Sequence, residues 1–284
     1  MKRILIQLDT DGHPSPFDAI AAYDAGVDVV IPYPGAAADG IADVVQGAMF
    51  PRGPKGLQNT AFWVGGSNVR DGEAVFDAAQ KFFFEPFKAS IMHDSDGCNT
   101  TAAAGVVKVR GVIDLKGAKT AVIGVGPVGL RTAELLRREE AEVTVLTFPP
   151  DVVQGEFRRA RGIGVAEEAG FTVVEPESSD ELDAALDGHA AIFAAGPAGL
   201  QILRRSGWKG AKVVVDYSAA EPLGVEGVGS SDDLEDEDGT LKLGALAVGA
   251  PKMKLQLACV QQLFETKGLV LDLDGIYDVA LEAL

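Results

Sequence analysis

Apolar runs of strand type alternate with stretches of helical spacing along most of the chain. Residues 2–8, 27–32, 60–64 and 88–92 read as strands, and residues 15–25, 38–49, 72–84 and 99–109 as helices, with Pro16 suited to the first turn of the first helix. A second series opens near residue 115. Strands are expected over 120–123, 142–147, 172–175, 190–195 and 212–216, and helices over 127–139, 155–169, 179–186 and 199–207, although Gly162 and Gly164 weaken the second of these helices. A long helix over 252–265 and a segment over 274–284 close the chain. Strand–helix alternation of this kind predicts an α/β protein with parallel sheets. The expected organisation is an N-terminal α/β substrate domain over 1–110, a Rossmann-type dinucleotide-binding domain over 111–251, and a helical return over 252–284. The return is too short to build its own core, so it is expected to pack back on the first domain.

Composition narrows the function classes. The 284 residues are 47% hydrophobic and 24% charged, which suits a globular protein with a real core. No apolar run reaches the ~18 residues a membrane span needs. The first apolar run is too short for a signal peptide and meets Asp9 and Asp11 at once, so a cytoplasmic location is expected. A net charge of −17 argues against nucleic acid and anionic membranes as partners. Cys98 and Cys259 form no disulfide framework, and His13, His93 and His189 are scattered, so no metal site is expected. The acidic run from Asp232 to Asp238 reads as a solvated loop.

The charge also poses a problem, because a dinucleotide is anionic. The residues Gly124, Gly126 and Gly129 answer it. They match G-x-G-x-x-G directly after an apolar strand and at the start of a helix, with Pro127 and Val128 between them. The first glycine permits the turn, the second lets a pyrophosphate approach the backbone, and the third lets helix and strand pack closely. The helix N-terminus then offers free N–H groups to phosphate. An acid at the end of the next strand would favour NAD, but residues 146–150 are Leu-Thr-Phe-Pro-Pro, and no acid occurs until Asp151. With Thr147 as a small donor and Arg158, Arg159 and Arg161 following, NADP is expected, with NAD possible. Ala195 and Gly196 leave room for ribose and nicotinamide at a strand end. Asp216 ends the following strand as a cofactor contact or a turn-capping acid.

Further stretches carry a family resemblance. They are residues 7–11 (Gln-Leu-Asp-Thr-Asp), 14–18 (Pro-Ser-Pro-Phe-Asp), 64–66 (Val-Gly-Gly), 94–105 (Asp-Ser-Asp-Gly-Cys-Asn-Thr-Thr-Ala-Ala-Ala-Gly), 216–219 (Asp-Tyr-Ser-Ala), 222–224 (Pro-Leu-Gly), 244–246 (Gly-Ala-Leu) and 252–255 (Lys-Met-Lys-Leu). With the glycine loop, they make the chain resemble the bacterial NAD(P)-dependent methylene-tetrahydromethanopterin dehydrogenases from residue 2 to about 282. The resemblance implies hydride transfer from methylene-tetrahydromethanopterin, in some members also methylene-tetrahydrofolate, to NADP⁺ or NAD⁺. It further implies a place in formaldehyde oxidation, no metal, and a homo-oligomer of trimer or hexamer type. One departure is Phe148, which stands where NADP-specific relatives carry a basic residue.

The resemblance makes Lys252 the candidate active-site lysine, placed at the start of the last long helix, with Lys254 as a second candidate. Asp18 has two acceptor oxygens suited to the amino and ring N–H groups of a pterin. Asn99, Thr100 and Thr101 open a helix and are candidates for holding pterin or nicotinamide, as is Thr10, beside Asp9, at a strand end; Gln58 and Asn59 are weaker candidates. Two alternatives stay open: a methylene-tetrahydrofolate dehydrogenase with or without cyclohydrolase activity, and a non-catalytic NADP-binding sensor.

Overall fold

The computed structural model describes residues 1–152 and 159–284. In chain order the elements are β1 (Ile4–Asp9), α1 (Pro16–Asp24), β2 (Val29–Tyr33), α2 (Ile41–Met49), α3 (Gly53–Gly56), β3 (Thr60–Gly65), α4 (Val69–Gln80), β4 (Ser90–His93) and α5 (Cys98–Arg110). Then come β5 (Lys119–Ile123), α6 (Pro127–Arg138), β6 (Glu142–Leu146), α7 (Arg159–Glu168), β7 (Val173–Val174), α8 (Ser179–Ala185), β8 (Ala191–Ala194), α9 (Arg205–Trp208) and β9 (Val213–Asp216). The last are β10 (Asp233–Glu237), β11 (Thr240–Leu243), α10 (Ala245–Glu265), β12 (Val270–Leu271) and α11 (Leu273–Ala283). Two compact units result: Met1–Thr100 together with Lys252–Leu284, and Thr101–Pro251. The α/β class with parallel sheets agrees with the sequence reading.

The first unit holds a five-stranded sheet in the order β12-β4-β3-β1-β2, parallel throughout. One face of it is closed by α2 and α4: Ile6, Leu8, Phe62, Val64 and Ile91 pack against Val45, Met49, Val75 and Phe76. By strand alternation Gln7, Asp9, Trp63 and Gly65 point to the other face. The connections from β1 to β2 and from β2 to β3 run to opposite sides of β1. The carboxyl ends of β1 and β3 therefore form a switch point, where open α/β sheets bind ligands.

One edge of this sheet is β2. The Val29 N–H donates to the Arg3 carbonyl at 3.2 Å, so alternation turns the N–H groups of residues 30 and 32 outward. Val30 N–H meets the Tyr23 hydroxyl at 3.4 Å, and Pro32 has no N–H to offer.

The second unit holds a seven-stranded sheet, β10-β11-β9-β8-β5-β6-β7. Its switch point lies between β5 and β8. Ile123, Leu146, Ile192, Ala194 and Val214 of the strands pack with Leu182, Ile202, Trp208 and Val225 on one face.

Several elements differ from the sequence reading, among them β11 and α3, which it did not expect. The acidic run forms strand β10, antiparallel to β11, and not a loop. Its side chains are half-buried or exposed, so no apolar period marked it. The strand is held by ladder bonds and by cations: Lys108 pairs with Asp233, Arg205 with Glu237, and Lys242 with Asp232 and Glu237, both at 3.1 Å. β12 extends the first sheet beside β4, but two residues are too few to show a period. The expected helix over 199–207 shortens to α9. Finally, α10 begins at Ala245 and runs through Pro251, a residue that normally ends a helix. Lys252 therefore lies in the helix interior, and a placement at its positive end does not apply.

Candidate functional site

On the first unit, the carboxyl ends of β1, β3 and β4 gather a set of acids. Asp9 is fully buried, and it organises the turn into α1: one oxygen accepts the Ser15 N–H at 2.7 Å and the other the Asp11 N–H at 2.9 Å. Thr10 donates its hydroxyl to the Gly65 carbonyl at 3.3 Å. The next residue, Gly66, has φ +108° and lies so close to Thr10 that a Cβ would collide with it. Ser15 caps α1 by accepting the Asp18 N–H at 3.3 Å. The Asp18 carboxylate then rests over Gly65, 2.8 Å from where a Cβ would stand. Burial raises the Asp18 carboxyl to about 7; Asp94 and Asp9 add to the rise, and Lys252 and the Ser15 hydrogen bond oppose it.

Asp94 follows β4 and is buried. It caps α5: one oxygen accepts the N–H groups of Asn99 and Thr100 at 3.0 and 3.1 Å, and the other accepts the Thr100 hydroxyl at 2.7 Å. The Asn99 amide donates to the His93 carbonyl at 2.7 Å. Asn99 and Thr100 thus bond inward, to the capping acid and to β4. Thr101 follows them on α5, half-buried. Burial pushes the Asp94 carboxyl upward against Lys252 and its hydrogen bonds. The sequence alone assigns Asp94 no role. The signal was an acid five residues ahead of a helix-opening Asn-Thr pair.

Lys252 projects from α10 into this group and is 9% exposed. Its Nζ donates to Gln256 Oε1 at 2.8 Å, lies 4.6 Å from the Phe17 ring centroid, and stands 3.2 Å from where a Cβ on Gly97 would be. Burial lowers its pKa, while Asp94, Asp18 and Asp96 pull it back up. Asp96 itself is raised by burial and by Asp11, with Lys252 opposing. Two candidates lie apart from this group. Lys254 is bonded to the Ala283 carbonyl near the chain end, and Gln58 donates to the carbonyls of Phe264 and Glu265 at the end of α10. Asn59 is half-buried, just ahead of β3. The group can accept hydrogen bonds from a heterocycle through Asp18, donate one from Lys252, and surround a positive charge with carboxylates.

On the second unit, β5 runs into the glycine loop. Gly124 has φ +115°, and a Cβ there would stand 2.3 Å from the Ala195 carbonyl oxygen. A Cβ on Gly129 would stand 2.0 Å from the Gly124 carbonyl oxygen. Gly126 differs, since nothing lies within 4 Å of its Cβ position. It precedes α6 at Pro127 and provides no side-chain cap, while the Val128 carbonyl accepts the Thr132 hydroxyl at 2.8 Å. The first-turn N–H groups of Val128 and Gly129 therefore have no intrahelical acceptor. After β6, the Thr147 hydroxyl is buried with no hydrogen-bond partner among the described residues. Phe148 joins the core, and Asp151 turns away to accept the Ser179 N–H at 2.9 Å. Ala195 N–H donates to Ile123, and Gly196 is held against Ile202. Asp216 gives both oxygens to its own loop, accepting the N–H groups of Ser218 and Val225 at 2.9 and 3.0 Å, which is the turn-capping arrangement. Arg158 lies outside the described residues. An open backbone cradle, a helix start without a cap and an orphaned buried hydroxyl fit the pyrophosphate and ribose of a dinucleotide. Tyr217 explains Gly105: a Cβ on that glycine would collide with the tyrosine hydroxyl, which is itself 3.2 Å from Thr132 Oγ1.

Among the described residues no cluster of His, Cys, Asp and Glu could hold a metal ion, and no helix is long and apolar enough to cross a membrane. Residues 16–96 match the family model for the N-terminal part of methylene-tetrahydromethanopterin dehydrogenase. The chain is 39% identical to the bifunctional protein MdtA of Methylorubrum extorquens, covering 99% of each. It is 30% identical to the NAD(P)-dependent methylenetetrahydromethanopterin dehydrogenase of the same organism, covering 99% of this chain and 98% of that one. Among solved structures, the Trypanosoma brucei N5,N10-methylenetetrahydrofolate dehydrogenase-cyclohydrolase, complexed with NADP and an inhibitor, superposes with a TM-score of 0.51 at 15% identity. That match covers 93% of this chain and 86% of the other, and it shows a likeness of fold.

Proposed function

Since the chain belongs to the methylene-tetrahydromethanopterin dehydrogenase family, we propose that it oxidises methylene-tetrahydromethanopterin to the methenyl form with NADP⁺ or NAD⁺, binding the pterin on the first unit and the dinucleotide on the second. The observation that carries this reading is the buried Lys252 set among Asp18, Asp94 and Asp96 at the switch point of the first sheet.

The chemistry asks little of acids and bases. The reacting carbon lies between two nitrogens, whose lone pairs stabilise the cation left when hydride departs. No proton moves in that step, so the protein's work is binding, orientation and exclusion of water. Asp18 accepts from the amino and ring N–H groups of the pterin, and those donors favour its ionised form. Lys252 donates to the pterin as well. An ammonium alone would disfavour a developing cation. Asp94 and Asp96, which Lys252 draws toward their ionised forms, offset it and favour positive charge in the transition state. When bound, the dinucleotide supplies the electron-pair acceptor. Gly126 and the first turn of α6 would receive its pyrophosphate, Thr147 its adenosine ribose, and Ala195 and Gly196 would leave space for the nicotinamide end.

The test is an assay of methylene-tetrahydromethanopterin and methylene-tetrahydrofolate, each with NAD⁺ and with NADP⁺, read at the methenyl absorbance. The methanopterin substrate is expected to turn over with at least one nucleotide. Silence in all four combinations would overturn the reading.

A further inference from the structure

A lysine held at low exposure among three carboxylates needs something to fix its direction. Among the described residues no carboxylate forms a salt bridge with it. The group that touches Lys252 Nζ is the side-chain oxygen of Gln256, at 2.8 Å. Gln256 lies one helical turn further along α10, so both side chains project from one face, and it is 1% exposed. The Phe17 ring and Gly97 bound the ammonium on other sides. We propose that Gln256 is the positioning residue of the site: its amide oxygen takes one of the three ammonium protons and so aims the other two. The inference rests on the reading in which Lys252 meets the pterin.

The choice of an amide has an electrostatic reason. The groups that act on Lys252 are Asp18 from α1 and Asp94 and Asp96 from the segment between β4 and α5; one turn beyond Gln256, burial and Asp94 hold the Cys259 thiol neutral. A glutamate at 256 would add another charge to this group. A glutamine accepts the same hydrogen bond without one. An apolar side chain would leave the ammonium desolvated and short of an acceptor, and so would favour its neutral amine.

The experiment compares wild type, Q256M and Q256E in two readouts: the pH profile of kcat/KM, and the titration of Lys252 followed by NMR of ¹³Cε-labelled lysine, assigned with K252M. In Q256M the Lys252 titration and the alkaline limb of the profile are expected to move down by about one pH unit. In Q256E both are expected to move up. Dinucleotide affinity should stay unchanged in both. If Q256M does not yield folded protein, Q256N, which keeps the amide but shortens its reach, is expected to shift in the same direction. An identical Lys252 titration in wild type and in the folded variants would overturn the proposal. A shifted titration with an unmoved activity profile would support Gln256 as the lysine's partner and count instead against Lys252 acting on the pterin.

Discussion

The two units solve the recognition of a charged or polar ligand by opposite means. The first uses side chains, holding Lys252 and Asp94 buried and Asp18 half-buried at the ends of three strands where desolvation shifts each of their pKa values. The second uses backbone: its glycine loop works through side chains that are missing, and it presents the first-turn N–H groups of α6, with the Thr147 hydroxyl after β6. The difference teaches where each is fragile. The first should respond to changes of charge that leave the fold intact. The second should respond to the addition of a single methyl group.

Four substitutions sharpen this contrast. The largest effect is expected from Gly129→Ala, whose new methyl meets a backbone oxygen that cannot give way. It should cost about 1–3 kcal/mol of stability and abolish measurable dinucleotide binding, read by thermal melting and fluorescence titration. Lys252→Ala should lower kcat/KM by about 10-fold or more while dinucleotide affinity stays nearly intact. Near-normal steady-state turnover would remove the lysine from the mechanism. Gly126→Ala should leave stability within about 0.5 kcal/mol, because its site is open, yet weaken dinucleotide binding about tenfold. Equal affinity would show that the pyrophosphate lies elsewhere. The smallest effect is Asp18→Asn. Its carboxyl titrates at about 7 in the fold against the usual 3.8, so folding disfavours the ionised form and the wild type loses stability as pH rises between those values. The amide has no such loss. Denaturation at pH 8 should find Asp18→Asn more stable by on the order of 1 kcal/mol or more, with the gain gone below pH 4. A pH-independent difference would contradict burial as the cause.

Sequence alone made the α/β class and the family legible, because both rest on local patterns. Buried parallel strands such as β3 and β8 are short apolar runs, and the glycine loop stands in a fixed strand–turn–helix context. What stayed hidden depends on partners distant in the chain. β10 is polar on both faces and exists through its ladder with β11. β12 exists through β4. The helix expected over 252–265 begins at Ala245, because α10 continues through Pro251. Among the candidate residues, Asp18 and Lys252 fall in one electrostatic group, while Lys254 is tied to the chain end and Asp216 to its own loop. Gln256 carries no signal in sequence, since a glutamine four residues after a lysine is ordinary on any helix.

The edge strand β2 has a consequence for how the protein can go wrong. Its outward positions offer no donor to a newcomer, one N–H being engaged by Tyr23 and the other replaced by Pro32. A stray strand arriving at that side would find carbonyl acceptors but half a ladder. Exchange of strands between copies and templated fibril growth are therefore disfavoured at the one border of the first sheet made by a full-length strand, and Tyr23→Phe together with Pro32→Val is the pair of changes that would reopen it.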